Sequence, residues 1–137
     1  MGIIFDEKTR TFTLNTKETT YQMQVGRYNF LLHLYYGKKA KGCMDYLLVY
    51  HDRGCSGIPN DAGMDRTYSM DLMPQEYPCY GTGDYRSPAL MVQNADGSYS
   101  CDLRYQSYRI RKGKYSLPGL PAVYASEEEA ETLEILM

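Results

Sequence analysis

The chain has 137 residues, 43% of them hydrophobic, the size of one ordinary domain whose core needs neither a metal nor a disulfide. A net charge of −2 argues against a phosphate-gripping basic face, and so against duplex nucleic acid as a partner. Fifteen Tyr against three Phe and no Trp favour β structure, because tyrosine suits half-buried sheet faces with its hydroxyl at the rim. Ile3, Ile4 and Phe5 open a strand that the polar run Asp6-Glu7-Lys8-Thr9 ends. Phe12 and Leu14 then alternate with Thr11, Thr13 and Asn15, and after residues 15–18 Tyr21, Met23 and Val25 alternate up to Gly26. Residues 30–36 are richer in apolar side chains and predict a strand buried on both faces, with His33 in its middle. Residues 37–42 are a loop, and residues 46–50 form another short apolar run.

Residues 51–83 differ from everything before them. Gly54, Gly57, Pro59, Gly63, Pro74, Pro78, Gly81 and Gly83 interrupt any period. Yet Tyr68, Met70, Leu72, Met73, Tyr77 and Tyr80 offer apolar surface, so an ordered extended loop is expected rather than disorder. Regular β signals return at residues 89–93, and Asp96-Gly97 within residues 94–98 predicts a hairpin turn. The returning strand is expected through Tyr99, Cys101, Leu103 and Tyr105, with Tyr108 and Ile110 beyond. Gly113 breaks the pattern, and Leu117-Pro118-Gly119-Leu120-Pro121 is an irregular connection. At the end two readings compete. Ser126 and Glu129 have the spacing of a capping box, which suggests a short helix, whereas residues 132–137 alternate like a strand entering a sheet. A chain that stops inside such a run reads as cut.

The candidates for chemistry are few. Arg104, Arg109, Arg111, Lys112 and Lys114, interleaved with Tyr105, Tyr108 and Tyr115, read as the solvated face of one or two strands more readily than as a nucleic-acid strip. Cys43, Cys55, Cys79 and Cys101 are widely spaced and show no metal-ligand spacing, so no metal and no cofactor is expected; a disulfide is possible but not needed. The N-terminus carries acids where a signal peptide has bases, and no stretch is long enough to span a membrane, which together predict a soluble cytoplasmic protein. Ser56 lacks the Gly-x-Ser-x-Gly spacing of a nucleophile elbow. Cys55 near His51 reads as a packed cysteine rather than a dyad, and Gly81-Thr82-Gly83 lacks the third glycine of a dinucleotide site. Glycoside hydrolysis needs two opposed carboxyl groups, and no motif here fixes such a pair, so no catalytic residue is assigned. The best-placed acids, in Asp52-Arg53 and Asp65-Arg66, are expected to brace the loop as neighbouring ion pairs, each contributing about 0–1 kcal/mol.

An ordered set of segments adds a further reading. It comprises Phe30-Leu31-Leu32-His33-Leu34-Tyr35-Tyr36-Gly37-Lys38, Asp65-Arg66-Thr67-Tyr68-Ser69-Met70-Asp71, Pro74-Gln75-Glu76-Tyr77-Pro78 and Gly83-Asp84-Tyr85-Arg86. Asp102-Leu103-Arg104-Tyr105, Lys112-Gly113-Lys114, Leu117-Pro118-Gly119-Leu120-Pro121-Ala122 and Glu129-Ala130-Glu131-Thr132-Leu133-Glu134-Ile135 complete it. In this order they resemble the N-terminal domain of bacterial family 36 glycoside hydrolases, the α-galactosidases, over almost the whole chain. The resemblance implies an all-β fold, residues 1–137 forming part of a large antiparallel β-sandwich with one long ordered loop. The family's catalytic (β/α)8 barrel and C-terminal β domain would be absent, and with them a nucleophile in a Lys-Trp-Asp motif and a second aspartate acting as acid/base.

The same resemblance implies a parent enzyme that hydrolyses terminal α-1,6-galactosides such as melibiose and raffinose with retention, as a homo-oligomer (a tetramer). This chain alone would be inactive. Asp52 and Arg66 would approach the sugar hydroxyls, the loop closing the galactose pocket of a neighbouring subunit. The family pattern departs here at Cys55, where an aromatic residue is commoner, and over residues 61–64. The competing reading is a free-standing carbohydrate-binding or assembly module without catalysis, motivated by the tyrosine content. Half a sandwich also leaves open strand edges, through which the isolated chain is expected to self-associate.

Overall fold

The computed structural model describes residues 2–55, 57–121 and 124–137; Ser56 and Ala122, both cited above, lie outside them. The alternating segments at the start form four antiparallel strands, each paired with its neighbour: β1 (Gly2–Asp6), β2 (Thr11–Asn15), β3 (Thr19–Val25) and β4 (Leu31–Lys38). The register sets Phe5 against Phe12, Phe12 against Met23 and Leu14 against Tyr21, so the period of two gathers these side chains on one face. The β1–β2 turn is closed by Asp6, whose carboxylate accepts from the amides of Lys8 and Thr9.

That apolar face is covered by a second sheet of two antiparallel strands, β5 (Ser107–Lys112) and β6 (Glu131–Leu136). Tyr108, Leu133 and Ile135 of this pair pack on Phe12, Met23, Val25 and Leu31. Ring centroids of Phe5 and Phe12 lie 4.4 Å apart, and Tyr108 stands edge-on to Phe12 at 5.1 Å. Two antiparallel sheets packed face to face make the chain all-β and a β-sandwich. The Ile3 amide on the open edge of β1 donates to Glu131 Oε2 at 2.7 Å, which ties the two sheets at one side.

On the opposite face of the first sheet the polar side chains Thr11, Thr20 and Gln22 are buried. Thr20 and Gln22 are covered by residues 39–44, whose backbone they satisfy. The Ala40 amide donates to Thr20 Oγ1 at 3.0 Å, Gln22 Nε2 donates to the Gly42 carbonyl at 2.7 Å, and the Met44 amide donates to Gln22 Oε1 at 3.0 Å. Beyond this strip, Phe30 and Leu32 form a second core with Ala62, Tyr68, Met70 and Met73 of the long loop. Tyrosine therefore serves here as a fully buried core residue within a loop, not only on sheet rims.

Four expectations need correction. The strand over residues 30–36 is buried on both faces only at Leu31 and Leu32; a register shift opposite Gln22 and Met23 intervenes, and Tyr36 is 67% exposed. No strand forms at residues 89–93 or 99–105. The turn between them is present, with the Asn94 amide donating to the Ser98 carbonyl and Gly97 at φ 83°. Its flanks do not pair with each other, because they are committed elsewhere: the Ala89 amide to Pro78, Cys101 to Tyr80 and Tyr105 to Asn29. The helix reading of the C-terminus fails. Residues 126–130 form a single turn, and β6 follows. Finally, Arg109 and Arg111 do face solvent on β5, but Arg104 does not belong with them: its guanidinium lies 3.8 Å over the Phe30 ring.

Candidate functional site

The long loop is built on β4. Residues 74–76 run antiparallel along its free edge, with the His33 amide donating to the Pro74 carbonyl at 2.6 Å and the Glu76 amide to Leu31 at 2.9 Å. Just before this seam, Tyr68 is enclosed by Phe30, Tyr28 and Tyr50, with centroid separations from 4.8 to 6.0 Å, and burial pushes its phenol pKa up. From that anchor two limbs rise together. The His51 amide donates to Thr67, and the Met70 amide donates to Gly57. At the crossing of Gly57 and Gly83 a Cβ on Gly57 would stand 2.6 Å from the Gly83 Cα, so neither position has room for a side chain.

Beside its backbone-to-backbone turns, the loop uses aspartates to satisfy several amides. Asp52 accepts from the Gly54 amide at 2.6 Å, Asp65 from Thr67 at 3.1 Å, and Asp84 from Arg86 at 3.0 Å, each two residues ahead. Arginines then clamp the limbs, but not to the acids beside them in sequence. Arg66 pairs with Asp52 (3.5 Å), Arg53 with Asp71 (2.5 Å), and Asp65 with Arg27 (3.1 Å). The expectation of neighbouring Asp–Arg pairs is thus overturned: in each case a residue distant in sequence supplies the partner. Arg66 also donates to the Gly54 carbonyl, so Asp52, Gly54 and Arg66 form one closed bracket. The hydrogen bonds from Thr67 and the charge of Arg27 hold Asp65 below the usual carboxylate range, against a smaller opposing effect of burial.

Asp52 and Arg66, the two residues singled out from the sequence, are therefore brought into contact, and their side chains are 47% and 50% exposed. A half-exposed carboxylate beside a guanidinium offers both acceptors and donors to a polar ligand. The bracket sits on the outside of the loop, and a cleft of about 480 Å³ lies elsewhere, on the polar sheet face under residues 39–43. Cys55 is exposed beside the bracket, which corrects the expectation of a packed cysteine. Among the described residues no group of three or more His, Cys, Asp or Glu side chains is placed to hold a metal ion. No helix among them is long and apolar enough to cross a membrane.

Three stabilising arrangements were missed in the sequence. Asp84, only 3% exposed, receives two hydrogen bonds from the Arg86 side chain and one from Gln75, while Arg86 also donates to the carbonyls of Met70 and Met73. Burial works to raise the Asp84 pKa, but the bonds and charge of Arg86 outweigh it and hold the carboxyl low. Arg104 joins Asp61 at the loop tip (3.1 Å) to Asp102 (2.6 Å) and to the Tyr28 carbonyl (2.6 Å). His33 meets Glu76 at 3.0 Å, and Tyr21 donates to the same carboxylate. The Asp-x-Arg spacing at 84–86 was a usable signal; the Arg104–Asp61 link, spanning 43 positions, left none.

A family model described as the glycosyl hydrolase family 36 N-terminal domain matches residues 29–137. The bifunctional alpha-galactosidase/sucrose kinase AgaSK of Mediterraneibacter gnavus is 59% identical over 137 residues, covering 100% of this chain and 15% of that protein. The solved galactosidase domain of AgaSK superposes with a TM-score of 0.93 at 60% identity, over 98% of this chain and 19% of that one. A family 36 alpha-galactosidase AgaA variant from Geobacillus stearothermophilus, solved in complex with raffinose, gives 0.81 at 46% identity, over 91% and 17%. The chain thus spans less than a fifth of the length of each.

Proposed function

The chain belongs to the family of glycosyl hydrolase family 36 N-terminal domains, and we propose that it works as the front part of that domain in an α-galactosidase cleaving terminal α-1,6-galactosides with retention. In this reading the catalytic carboxylates lie in a barrel that residues 1–137 do not include, and the chain alone has no turnover. Its contribution is to hold the Asp52–Arg66 bracket where a second surface completes a galactose pocket, that surface coming from a neighbouring subunit of a cytoplasmic homo-oligomer. The observation that carries the assignment of the bracket is its placement: a paired, half-exposed Asp and Arg on the outer side of a braced loop. Such a group does not enclose a sugar by itself but is rigid enough to line one wall. Raffinose bound to the AgaA relative supports the substrate class.

Two assays test this. The purified chain is incubated with raffinose or melibiose, and the reading frame is followed past the Met137 codon. No galactose release, together with a frame that continues into a longer product releasing galactose, is the expected result. Turnover by the chain itself, or a stop codon directly after Met137, would overturn the proposal and leave the free-standing binding module in its place.

A further inference from the structure

Two of the four cysteines, 22 positions apart in the chain, meet beyond the bracket. Cys79 is buried, with its thiol against the Tyr77 carbonyl at 3.5 Å, and the thiol of Cys101 lies beside it. The backbone holds them there. The Cys101 amide donates to the carbonyl of Tyr80 at 2.9 Å, and next to that bond the chains touch so closely that a Cβ on Gly81 would stand 2.8 Å from the Ser100 Cα. Cys79 is fixed from its other side as well, through the parallel bridge to Leu90 and the bond from the Ala89 amide to Pro78. Cys101 keeps part of its surface exposed. One thiol is therefore reachable from solvent and the other waits behind it, the arrangement of an attacking and a resolving cysteine.

We propose that Cys79 and Cys101 are an oxidative modification site that takes a low-molecular-weight disulfide as its reagent and closes to an intramolecular disulfide. The Cys101 thiolate attacks one sulfur of the reagent; the reagent's S–S bond breaks, a mixed disulfide forms and one small thiolate leaves. The Cys79 thiolate then attacks the Cys101 sulfur, a second small thiolate leaves, and the new S–S bond joins the two segments. The two protons of the cysteine thiols end on the two released small thiols; two cysteines are oxidised and one reagent disulfide is reduced. Burial, then the neighbouring Cys101 and the negative charge of Asp102, push the Cys79 thiol up, so its attack in the second step depends on pH. The cross-link falls three residues before Arg104, so it would fasten the segment that grips the loop tip through Asp61.

The test is oxidation of the native chain with glutathione disulfide, followed by trapping of free thiols and peptide mapping. A Cys79–Cys101 linked peptide as the main product is expected, with its rate of appearance rising about tenfold per pH unit near neutrality, where Cys79 is mostly protonated. Cys101→Ser, a near-isosteric change at a partly exposed position, should abolish the linked peptide, whereas Cys43→Ser with Cys55→Ser should leave it in place. A map in which glutathione stays on Cys55 or Cys101 while Cys79 remains a thiol would overturn the proposal. So would a linked peptide that survives Cys101→Ser.

Discussion

The sheet region, residues 2–38, and the loop region, residues 45–105, solve the same problem by different means. In the sheet, backbone donors and acceptors pair with each other along regular ladders, and side chains are left to build the core. In the loop, the backbone has few ladders. Aspartates accept from amides two residues ahead, and arginines reach carbonyls and carboxylates across the limbs. Both regions are anchored to the same strand, β4, whose Leu31 faces the sandwich core and whose Leu32 faces the loop core. The lesson is that an irregular segment is ordered here by scattered turn and cross-limb backbone bonds, to which aspartate and arginine side chains add the links that no ladder supplies.

Substitutions can sharpen this contrast. The largest effect belongs to the sheet: Phe12→Ala removes a fully buried ring from between the two sheets and should cost about 4 kcal/mol, read as a fall in the urea midpoint with an unchanged slope. In the loop, Asp84→Ala strands the Arg86 guanidinium and the Gln75 amide, and should cost about 2–3 kcal/mol, discounted because Arg86 is itself 43% exposed. The same pair sets a pH dependence. Because the folded Asp84 pKa lies below its ordinary value, its contribution is complete above about pH 4 and is lost as pH falls through the folded pKa. Acid titration of stability should therefore be shallower in Asp84→Asn than in the native chain. The smallest effect is expected at the seam between the regions. Gln22→Ala unties residues 42–44 for about 2 kcal/mol, with amide exchange at Met44 rising well before the β3 amides respond.

How much of this was legible beforehand follows the same division. Strands β1 to β3 are written in the alternation of Phe12, Leu14, Tyr21, Met23 and Val25, since a half-buried ladder imposes that period. The ordered loop was readable from Tyr68, Met70 and Met73, whose apolar surface had to be covered. Its wiring was not. Asp52 finds Arg66 rather than Arg53, and Arg104 finds Asp61, because which limb faces which is decided by the packing of Tyr68 and the Gly57–Gly83 crossing, and neither leaves a local period. Residues 89–105 failed for the related reason that β propensity and a sound turn at Asp96-Gly97 do not make a hairpin when tertiary partners claim both flanks.

The proposed role of the Asp52–Arg66 bracket in lining a galactose pocket is tested most directly by steady-state kinetics of Asp52→Ala and Arg66→Ala in the longer enzyme proposed to carry this chain. The pair is half exposed, so unfolding midpoints should hardly move. KM for raffinose should rise at least about tenfold in each variant, with kcat changed far less. An unchanged KM in both variants, with the fold intact, would show that the bracket only braces the loop and would contradict the account.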